Sequence, residues 1–338
     1  MKRIGIIGSF VWDVIHGRGA SRGSHPIEEW GGITYALTAF DAALPAGWEM
    51  VPVMKIGFDL AQRARDFLSA LRRLAPDAAL VEVPYRNNRV ELRYQSDEVR
   101  TERLTGGVPA WSWVGLQPLL GDLDALYINL ISGFELDLDT ARLVRQHFRG
   151  PIYCDLHSLL LAVRPDGLRT PRPLIAVREW CECFDLLQVN EREMALMAPD
   201  PMALAATALD AGVRCLVVTL GSRGAVYFAA ADFDRLDDLR RSHALEGASG
   251  RPGGSGPIRT ALVAAEPARS GRHVPGDDAG GDPTGCGDVW GATYFSRLVA
   301  GDNLGSAIAA AHRAAARNFE HRGATGLAHH LRGELAVK

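Results

Sequence analysis

Short apolar runs alternate with helix-patterned stretches along most of this chain, and this alternation constrains the fold more than any other feature. The run Cys215-Leu-Val-Val-Thr219 is almost entirely apolar, as expected for a strand that is buried on both faces. Strands of this kind, separated by helices, pack into a parallel sheet with helices on both sides. The sequence therefore predicts a doubly wound α/β fold, whose ligands bind at the carboxyl ends of the strands.

The predicted elements are spread over the first two thirds of the chain. Strands are predicted at 2–7, 50–56, 80–83, 125–130, 151–155, 186–189, 215–219 and 225–228. Helices are predicted at 60–74, 139–148, 191–197 and 202–211. A chain of 338 residues that is 47% hydrophobic can bury a large core, and we expect a single α/β domain over residues 1–338.

One segment departs from this rhythm and predicts a half-exposed hairpin. Residues 88–95 alternate between apolar and charged side chains, and a second charged run follows at 99–104. Together with the early segment Val14–Trp30, the hairpin predicts a small β-lid built from residues of about 14–35 and 86–105. An ordinary surface hairpin is the alternative.

A glycine-rich insertion follows the last predicted strand. Residues 243–281 hold nine glycines and a single strand-like run, Ile258–Ala265, so the pattern predicts loop, strand, loop. The insertion ends at the motif described next. The insertion could act either as a gate over that motif or as a solvated linker, and the sequence leaves both roles open.

Residues 282–288, Asp-Pro-Thr-Gly-Cys-Gly-Asp, predict an anion site that contains a carboxylate. Gly285, Cys286 and Gly287 allow consecutive N–H groups to turn toward one point, and the helix that follows adds the positive end of its dipole. A carboxylate beside a bound anion is useful if it takes a proton from an incoming hydroxyl or holds a metal. Taken alone, the pattern favours an ordinary helix N-cap role for Asp288.

This motif resembles the Asp-Thr-x-Gly-Ala-Gly-Asp signature of the ribokinase-like (PfkB) carbohydrate kinases. Further signals of that family follow its order along the chain: Asp13 at the end of the first strand, Gly31-Gly32, Lys55-Ile-Gly-Phe-Asp59, Asn190-Glu-Arg-Glu193 and Thr219-Leu-Gly-Ser-Arg-Gly224. The resemblance implies a ribokinase-like fold with a β-lid. It also implies transfer of the γ-phosphate of ATP, with Mg²⁺, to a hydroxyl of a sugar or sugar-like small molecule.

The same resemblance assigns the donor side. Asp288 takes the place of the catalytic base, and residues 285–287 take that of the N–H groups around the transferring phosphoryl. Asn190 and Glu193 match the motif that organises hydrated Mg²⁺, although the same pattern fits a helix capping box. The other nucleotide contacts it implies are Thr219, Gly221, Ser222 and Gly224 at the phosphates and ribose, with His312 and Asn318 near the adenine.

On the acceptor side the resemblance implies that Asp13 binds substrate hydroxyls and that the glycine pair lets the backbone approach the ring. The implied acceptor contacts are Asp13, Gly31, Gly32, Thr34, Asp59 and Glu135. Family members often place Asn four residues after the second glycine, where this chain has Ala36. This departure argues against an ordinary ribokinase or fructokinase and leaves sugars and nucleosides open as acceptors.

Two other classes compete with this interpretation. A Rossmann dehydrogenase requires Gly-x-Gly-x-x-Gly after the first strand, and the segment from Gly5 to Phe10 lacks that spacing. A non-catalytic sugar- or nucleotide-binding regulator on the same fold is the second class. The retained Asp288 and Glu193 argue against it.

Charge and cysteine content limit the partners and the compartment. A net charge of −3 without basic runs predicts no nucleic-acid or membrane binding, and the absence of a signal-like segment predicts a cytoplasmic protein. A homodimer through the lid is compatible with the resemblance. Five scattered cysteines predict no disulfide framework, and Cys286 is expected to have a lowered pKa from the N–H dipoles around it, and hence to be oxidisable.

Overall fold

The apolar runs form the strands of one large sheet in the computed structural model, which describes residues 1–16, 26–78, 80–94, 100–239, 257–265 and 281–334. The strands are β1 (Lys2–Ile7), β2 (Phe10–His16), β3 (Ile27–Gly32), β4 (Trp48–Val53), β5 (Lys55–Gly57), β6 (Val81–Val83), β7 (Arg89–Tyr94), β8 (Arg100–Thr105), β9 (Ala125–Asn129), β10 (Ile152–Asp155), β11 (Leu161–Val163), β12 (Arg169–Pro171), β13 (Leu186–Asn190), β14 (Cys215–Thr219), β15 (Ala225–Ala229) and β16 (Arg259–Val263). The helices are α1 (Ile33–Ala43), α2 (Ala61–Ser69), α3 (Trp113–Leu116), α4 (Leu138–His147), α5 (Val177–Cys181), α6 (Glu191–Met197), α7 (Pro201–Asp210), α8 (Cys286–Val299), α9 (Leu304–Phe319) and α10 (Leu327–Arg332).

The central sheet has eight strands in the order β16-β15-β14-β13-β10-β9-β1-β4. The six strands from β14 to β4 are parallel, while at one edge β15 pairs antiparallel with β14, and β16 pairs antiparallel with β15. The predicted doubly wound, mainly parallel α/β fold is therefore confirmed. Strand β16 also confirms the strand predicted within the glycine-rich insertion. Residues 243–256 and 266–280 of that insertion lie outside the described residues.

Alternate residues of each strand supply two separate cores, one on each face of the sheet. Along β9, Tyr127 packs with α1 and α8, whereas Leu126 and Ile128 pack with α4 and α7 on the opposite face. Because both faces are covered by helices, the strands need to be apolar throughout. This requirement explains the continuous apolar runs seen in the sequence.

One predicted strand, 50–56, is two strands in the structure. Strand β4 ends at Val53, and β5 leaves the main sheet to pair in parallel with β6. The change of sheet occurs at Met54, whose carbonyl accepts a hydrogen bond from the Val81 N–H at 3.1 Å. Sequence periodicity is the same in both strands, so it could not locate this break.

A second, four-stranded sheet has the order β3-β2-β7-β8 and contains both of the segments predicted to form a lid. Val90 and Leu92 are 6% and 4% exposed, while Glu91 and Arg93 are more exposed, as the alternation predicts. Residues 17–25 and 95–99 of these segments lie outside the described residues. That this sheet covers a substrate stays a prediction.

No helix in the described parts of the chain combines the length and the apolar character needed to cross a membrane.

Candidate active site

Polar side chains follow four neighbouring parallel strands at the same edge of the central sheet. Thr219 ends β14, Asn190 ends β13, Asp155 ends β10 and Asn129 ends β9. The strands are adjacent in this order, so the four residues form a row along the carboxyl edge. This edge is where ligands bind in open parallel sheets.

The glycine-rich motif forms a tight turn across this row and starts helix α8. Gly285 has φ +73° and is the N-cap residue, so Asp288 lies in the first turn of the helix and is not its N-cap. The first N–H groups of a helix have no partner within it, and they point outward from the positive end of its dipole. The N-cap alternative for Asp288 is therefore excluded. The Cys286 N–H donates to the Pro283 carbonyl at 3.2 Å, so an anion site formed by the other N–H groups of the turn stays a prediction.

Asp288 is held by one direct hydrogen bond from the central sheet. The Nδ2 of Asn129 donates to its Oδ1 at 2.7 Å. Burial raises the pKa of the Asp288 carboxyl above its usual range, and the charge of Glu193 adds to this, while His157 and the Asn129 hydrogen bond oppose it. A carboxylate with a raised pKa that is partly accessible is suited to accept a proton.

A carboxylate–imidazole cluster, formed by Asp155, His157, Glu193 and Asp288, surrounds the start of α8. His157 has φ +28°, an unusual backbone conformation for a residue with a side chain, and its N–H donates to Asp155 Oδ1 at 3.2 Å. Its ring Nδ1 lies 3.5 Å from Glu193 Oε1. Burial alone would lower the pKa of His157, but the hydrogen bond and charge of Glu193, with Asp155 and Asp288, raise it to about 10. The cluster thus places an imidazolium among three carboxyl groups.

A buried amide connects this cluster to the anion turn. Gln188 Nε2 donates to Asp155 Oδ2 at 2.9 Å and to the Gly287 carbonyl at 3.2 Å, while the Tyr153 hydroxyl donates to Gln188 Oε1. The absence of a side chain at Gly291 makes room for this group, since a Cβ there would overlap both Tyr153 and Gln188.

No sequence motif indicated four residues of this site: Asn129, Asp155, His157 and Gln188. A signal for three of them was present, because Asn129, Asp155 and Gln188 fall inside predicted strands near the carboxyl ends, where ligands are expected. His157 follows Asp155 by two residues. Its role depends on the contact with Glu193, which no local pattern indicates.

Asn190 and Glu193 form a complete capping box at the start of α6. Glu193 N–H donates to Asn190 Oδ1 at 2.9 Å, and Asn190 N–H donates to Glu193 Oε2 at 2.8 Å. The Glu193 side chain is only 14% exposed, so it is less open to solvent than its predicted role implies. The capping alternative is confirmed, and a metal role for Glu193 stays a prediction.

The described residues contain no group of three or more His, Cys, Asp or Glu side chains arranged to hold a metal ion. Mg²⁺ commonly keeps several waters and binds one or two carboxylates together with substrate phosphates. Both carboxylate oxygens of Glu193 already contact Asn190 and His157, and both of Asp155 accept from His157 and Gln188. An ion held mainly by nucleotide phosphates and water therefore stays a prediction.

The predicted nucleotide loop, residues 219–224, adjoins the capping box formed by Asn190 and Glu193. Thr219 is the register partner of Asn190, and the chain then forms a 3₁₀ turn over Gly221–Arg223 in which Ser222 is exposed. Gly221 and Gly224 have φ +60° and +108°. The loop therefore lies beside Asn190 at the carboxyl edge of the sheet, and its contact with a nucleotide stays a prediction.

The two predicted adenine contacts lie inside the fold. His312 accepts a hydrogen bond from Trp290 Nε1 at 3.0 Å and lies 3.0 Å from the Val263 carbonyl. Asn318 is fully buried and donates to the Thr284 carbonyl at 2.8 Å, which ties α9 to the anion turn. This placement argues against an adenine contact through either side chain.

The expectation for Cys286 is wrong. Its thiol points toward α9, where Asn318 Nδ2 lies 3.2 Å from the sulfur, and not toward the N–H groups of the turn. Burial raises the pKa of the thiol to about 11. The other four cysteines are buried, and all five are free.

On the acceptor side, Asp13 lies on β2 of the small sheet and is 7% exposed. Gly31 faces it, and a Cβ at Gly31 would overlap the Asp13 carboxylate. This close approach explains the glycine. Gly32, with φ +59°, starts α1.

The other predicted acceptor contacts are engaged within the fold. The Thr34 hydroxyl donates to the Gly31 carbonyl at 2.9 Å and is fully buried. Glu135 accepts from Ser9 Oγ at 2.7 Å and from two backbone N–H groups. Asp59 accepts from Asn87 N–H at 2.7 Å; burial opposes its ionisation, but hydrogen bonds from Asn87 and Arg89 hold its pKa below the usual range. A substrate contact through any of these four side chains stays a prediction.

Comparisons with known proteins identify the fold. A scan of protein-family models finds no match, and a search of curated proteins finds none either. Among solved structures, a nucleoside kinase of Burkholderia thailandensis in complex with inosine is 18% identical, with 96% of this chain and 94% of that chain covered and a TM-score of 0.69. A pyrophosphate-dependent kinase in the ribokinase family, in complex with sulfate, is 16% identical, with 96% of each chain covered and a TM-score of 0.64. A protein of E. coli described as a ribokinase II, in complex with ATP and Mg²⁺, is 15% identical, with 96% of this chain and 94% of that chain covered and a TM-score of 0.66.

These structures share almost their full length with this chain, and none of the three is a dehydrogenase. The resemblance found in the sequence motifs is confirmed at the level of the fold. This chain therefore has the ribokinase-like fold, which it shares with kinases of sugars and nucleosides.

Proposed function

We propose that this protein is an ATP- and Mg²⁺-dependent kinase that phosphorylates a hydroxyl of a sugar or sugar-like small molecule. The observation that carries the proposal is the position of Asp288, in the first turn of α8 beside the Gly285 turn and held by Asn129. A proton acceptor and an anion-binding helix terminus at one point are what transfer of a phosphoryl group to a hydroxyl requires.

Bound ATP would supply the γ-phosphoryl group, and Mg²⁺ would compensate the charge of its oxygens. Asp288 takes the proton of the acceptor hydroxyl, and the N–H groups at the start of α8 face the transferring phosphoryl. The imidazolium of His157 offsets the three carboxylates around it. Asp13, on the small sheet, binds an acceptor hydroxyl.

A nucleoside is the second candidate acceptor. Ala36 supplies no amide at the position where sugar kinases of this family often have one. The fold neighbour with inosine adds support for a nucleoside. In both cases the reacting group is a hydroxyl, so the two candidates share the chemistry assigned to Asp288.

The decisive experiment is a screen of sugars, sugar acids, polyols and nucleosides for release of ADP from ATP with Mg²⁺. Pyrophosphate is included as an alternative donor, because one fold neighbour depends on it. Turnover with one acceptor class identifies the substrate. No turnover with any donor, together with no nucleotide binding, would overturn the kinase proposal; nucleotide or sugar binding without turnover would favour the regulator.

Asp13→Asn is expected to raise the acceptor KM about 10- to 100-fold, because a hydrogen bond to a charged group is worth about 1.5–3 kcal/mol. The kcat should change much less. Glu28→Gln is the matched control, since Glu28 is exposed on the same small sheet, where it accepts from Trp12. An acceptor KM equal to that of the parent would remove Asp13 from the substrate site.

Glu193→Gln is expected to weaken Mg²⁺-dependent turnover by about 10- to 100-fold, since one lost charge contact costs about 1–3 kcal/mol. The Gln carbonyl can still accept from Asn190 N–H, so the capping box should be kept. Loss of the charge beside His157 should lower the melting temperature slightly. Glu191→Gln is the matched control, because Glu191 lies in the same first turn and pairs with Arg223 at the surface. Titration of turnover with Mg²⁺ is the measurement. An unchanged Mg²⁺ dependence would exclude a metal role for Glu193, whose function would then be to cap α6.

A further inference from the structure

We propose that Asn129 is a positioning residue for the base: its amide orients the Asp288 carboxylate toward the acceptor hydroxyl. The inference rests on the proposed kinase function. Asn129 belongs to none of the sequence motifs that indicated the site, and the contact becomes visible only in the folded chain.

The geometry of the contact is specific. Asn129 is the last residue of β9 and is fully buried, and its Nδ2 donates to Asp288 Oδ1 at 2.7 Å across 159 residues of sequence. The amide engages one oxygen of the carboxylate. A single hydrogen bond from a rigid strand fixes the plane of the carboxyl group and leaves its second oxygen, Oδ2, for a ligand.

The second polar atom of the Asn129 side chain faces Tyr127. Its Oδ1 and the Tyr127 hydroxyl are both buried and make no hydrogen bond of normal geometry among the described residues, although Asn129 acts to lower the pKa of Tyr127 against the larger effect of burial. Asn is disfavoured in strands, and every other residue of β9 is a buried Ala, Leu, Tyr or Ile. The bond to Asp288 is the one well-formed hydrogen bond of this amide among the described residues, and we take it as the reason for Asn here.

The Asn129 amide is a neutral hydrogen-bond donor, and this suits the proposed role of Asp288 as a base. The charged and titratable groups that act on Asp288 are His157 and Glu193, and Asp288 in turn acts on Asp155, Tyr35, Tyr127 and Cys286. A further cation in place of Asn129 would favour the carboxylate so strongly that it would become a poor proton acceptor. The Asn129 amide orients the Asp288 carboxylate and lowers its pKa less than a cation would.

The pH dependence follows from the sign of this effect. Asp288 acts as a base only when it is deprotonated, so activity is lost as the pH falls through its pKa. The hydrogen bond from Asn129 lowers that pKa, against the larger effect of burial. Loss of the bond should therefore move the acid limb of the pH profile to higher pH.

Asn129→Ala is expected to lower kcat about 10- to 100-fold, as displacement of a reacting group commonly does, and to shift the acid limb of kcat upward with little change in the acceptor KM. Ile128→Ala is the control, because Ile128 precedes Asn129 on the same strand but packs in the opposite core. It should lower the melting temperature without moving the acid limb. If Asn129→Ala behaves like Ile128→Ala, with a lower melting temperature and an unchanged pH profile, the residue is only structural and the inference is overturned.

A second measurement does not depend on turnover. The ¹³C carboxyl signal of Asp288, assigned by its disappearance in Asp288→Asn, is titrated in the parent and in Asn129→Ala. The titration should move to higher pH in the variant, and an unmoved titration overturns the inference. If the parent phosphorylates no acceptor, the kinase proposal fails, while this titration still decides whether Asn129 acts on Asp288. Should Asn129→Ala not fold, the isosteric Asn129→Asp replaces it, and the like charge should raise the Asp288 titration as well.

Discussion

Asp288→Asn is expected to lose about 10²- to 10⁴-fold in kcat, the range usual for removal of a positioned base, while it still binds ATP. The substituted side chain has the same size, and its carbonyl can still accept from Asn129. The wild-type pKa of Asp288 is raised by burial, which means that its ionised form destabilises the fold at neutral pH. Removal of that charge should leave the melting temperature unchanged or slightly higher.

The matched control for this variant is Asp139→Asn. Asp139 also lies in the first turn of a helix, α4, and its side chain is 88% exposed and pairs with Arg142 at the surface. It should keep full kcat. Near-normal turnover of Asp288→Asn on the true acceptor would contradict the central assignment, whatever the outcome for nucleotide binding.

The sheet was predictable from the sequence because its strands must be apolar on both faces. Cys215–Thr219 and Lys2–Ile7 are strands with the predicted bounds. The break between β4 and β5 was not predictable, because the apolar run continues through Met54 and only pairing with β6 separates the two strands. Pairing over such distances is set by tertiary contacts, which no local pattern contains.

The site was predictable where its chemistry is local. The 282–288 turn gave Asp288 and the glycines, since a turn into a helix is contiguous in sequence. Contacts across the sheet were hidden: Asn129 reaches Asp288 over 159 residues, and His157, in the 3₁₀ turn after β10, reaches Glu193 in α6. The wrong expectation for Cys286 has a similar cause, because the direction of its thiol is set by packing against α9.

Gly285→Ala is expected to destabilise the protein and to abolish phosphate binding at the turn. Gly285 has φ +73°, and a Cβ there would overlap the ring of the buried Tyr35. The backbone strain costs about 1–3 kcal/mol, and the overpacking costs a similar amount, about 1–3 kcal/mol. Relief of the overlap requires either the turn or Tyr35 to move, and both displace the start of α8.

Gly287→Ala is the control. It tests whether the destabilisation is specific to Gly285 or follows from replacing any glycine of the turn. Gly287 lies two residues further on, inside α8, and the nearest atom to its added Cβ is Gln188 Nε2 at 4.0 Å. Ala is favoured over Gly in a helix by about 1 kcal/mol, so this variant should melt at or slightly above the temperature of the parent. Thermal unfolding and nucleotide binding of both variants test the argument together. Equal melting temperatures for Gly285→Ala and Gly287→Ala would show that the turn is free to rearrange, and a rigid anion site at the start of α8 would then be excluded.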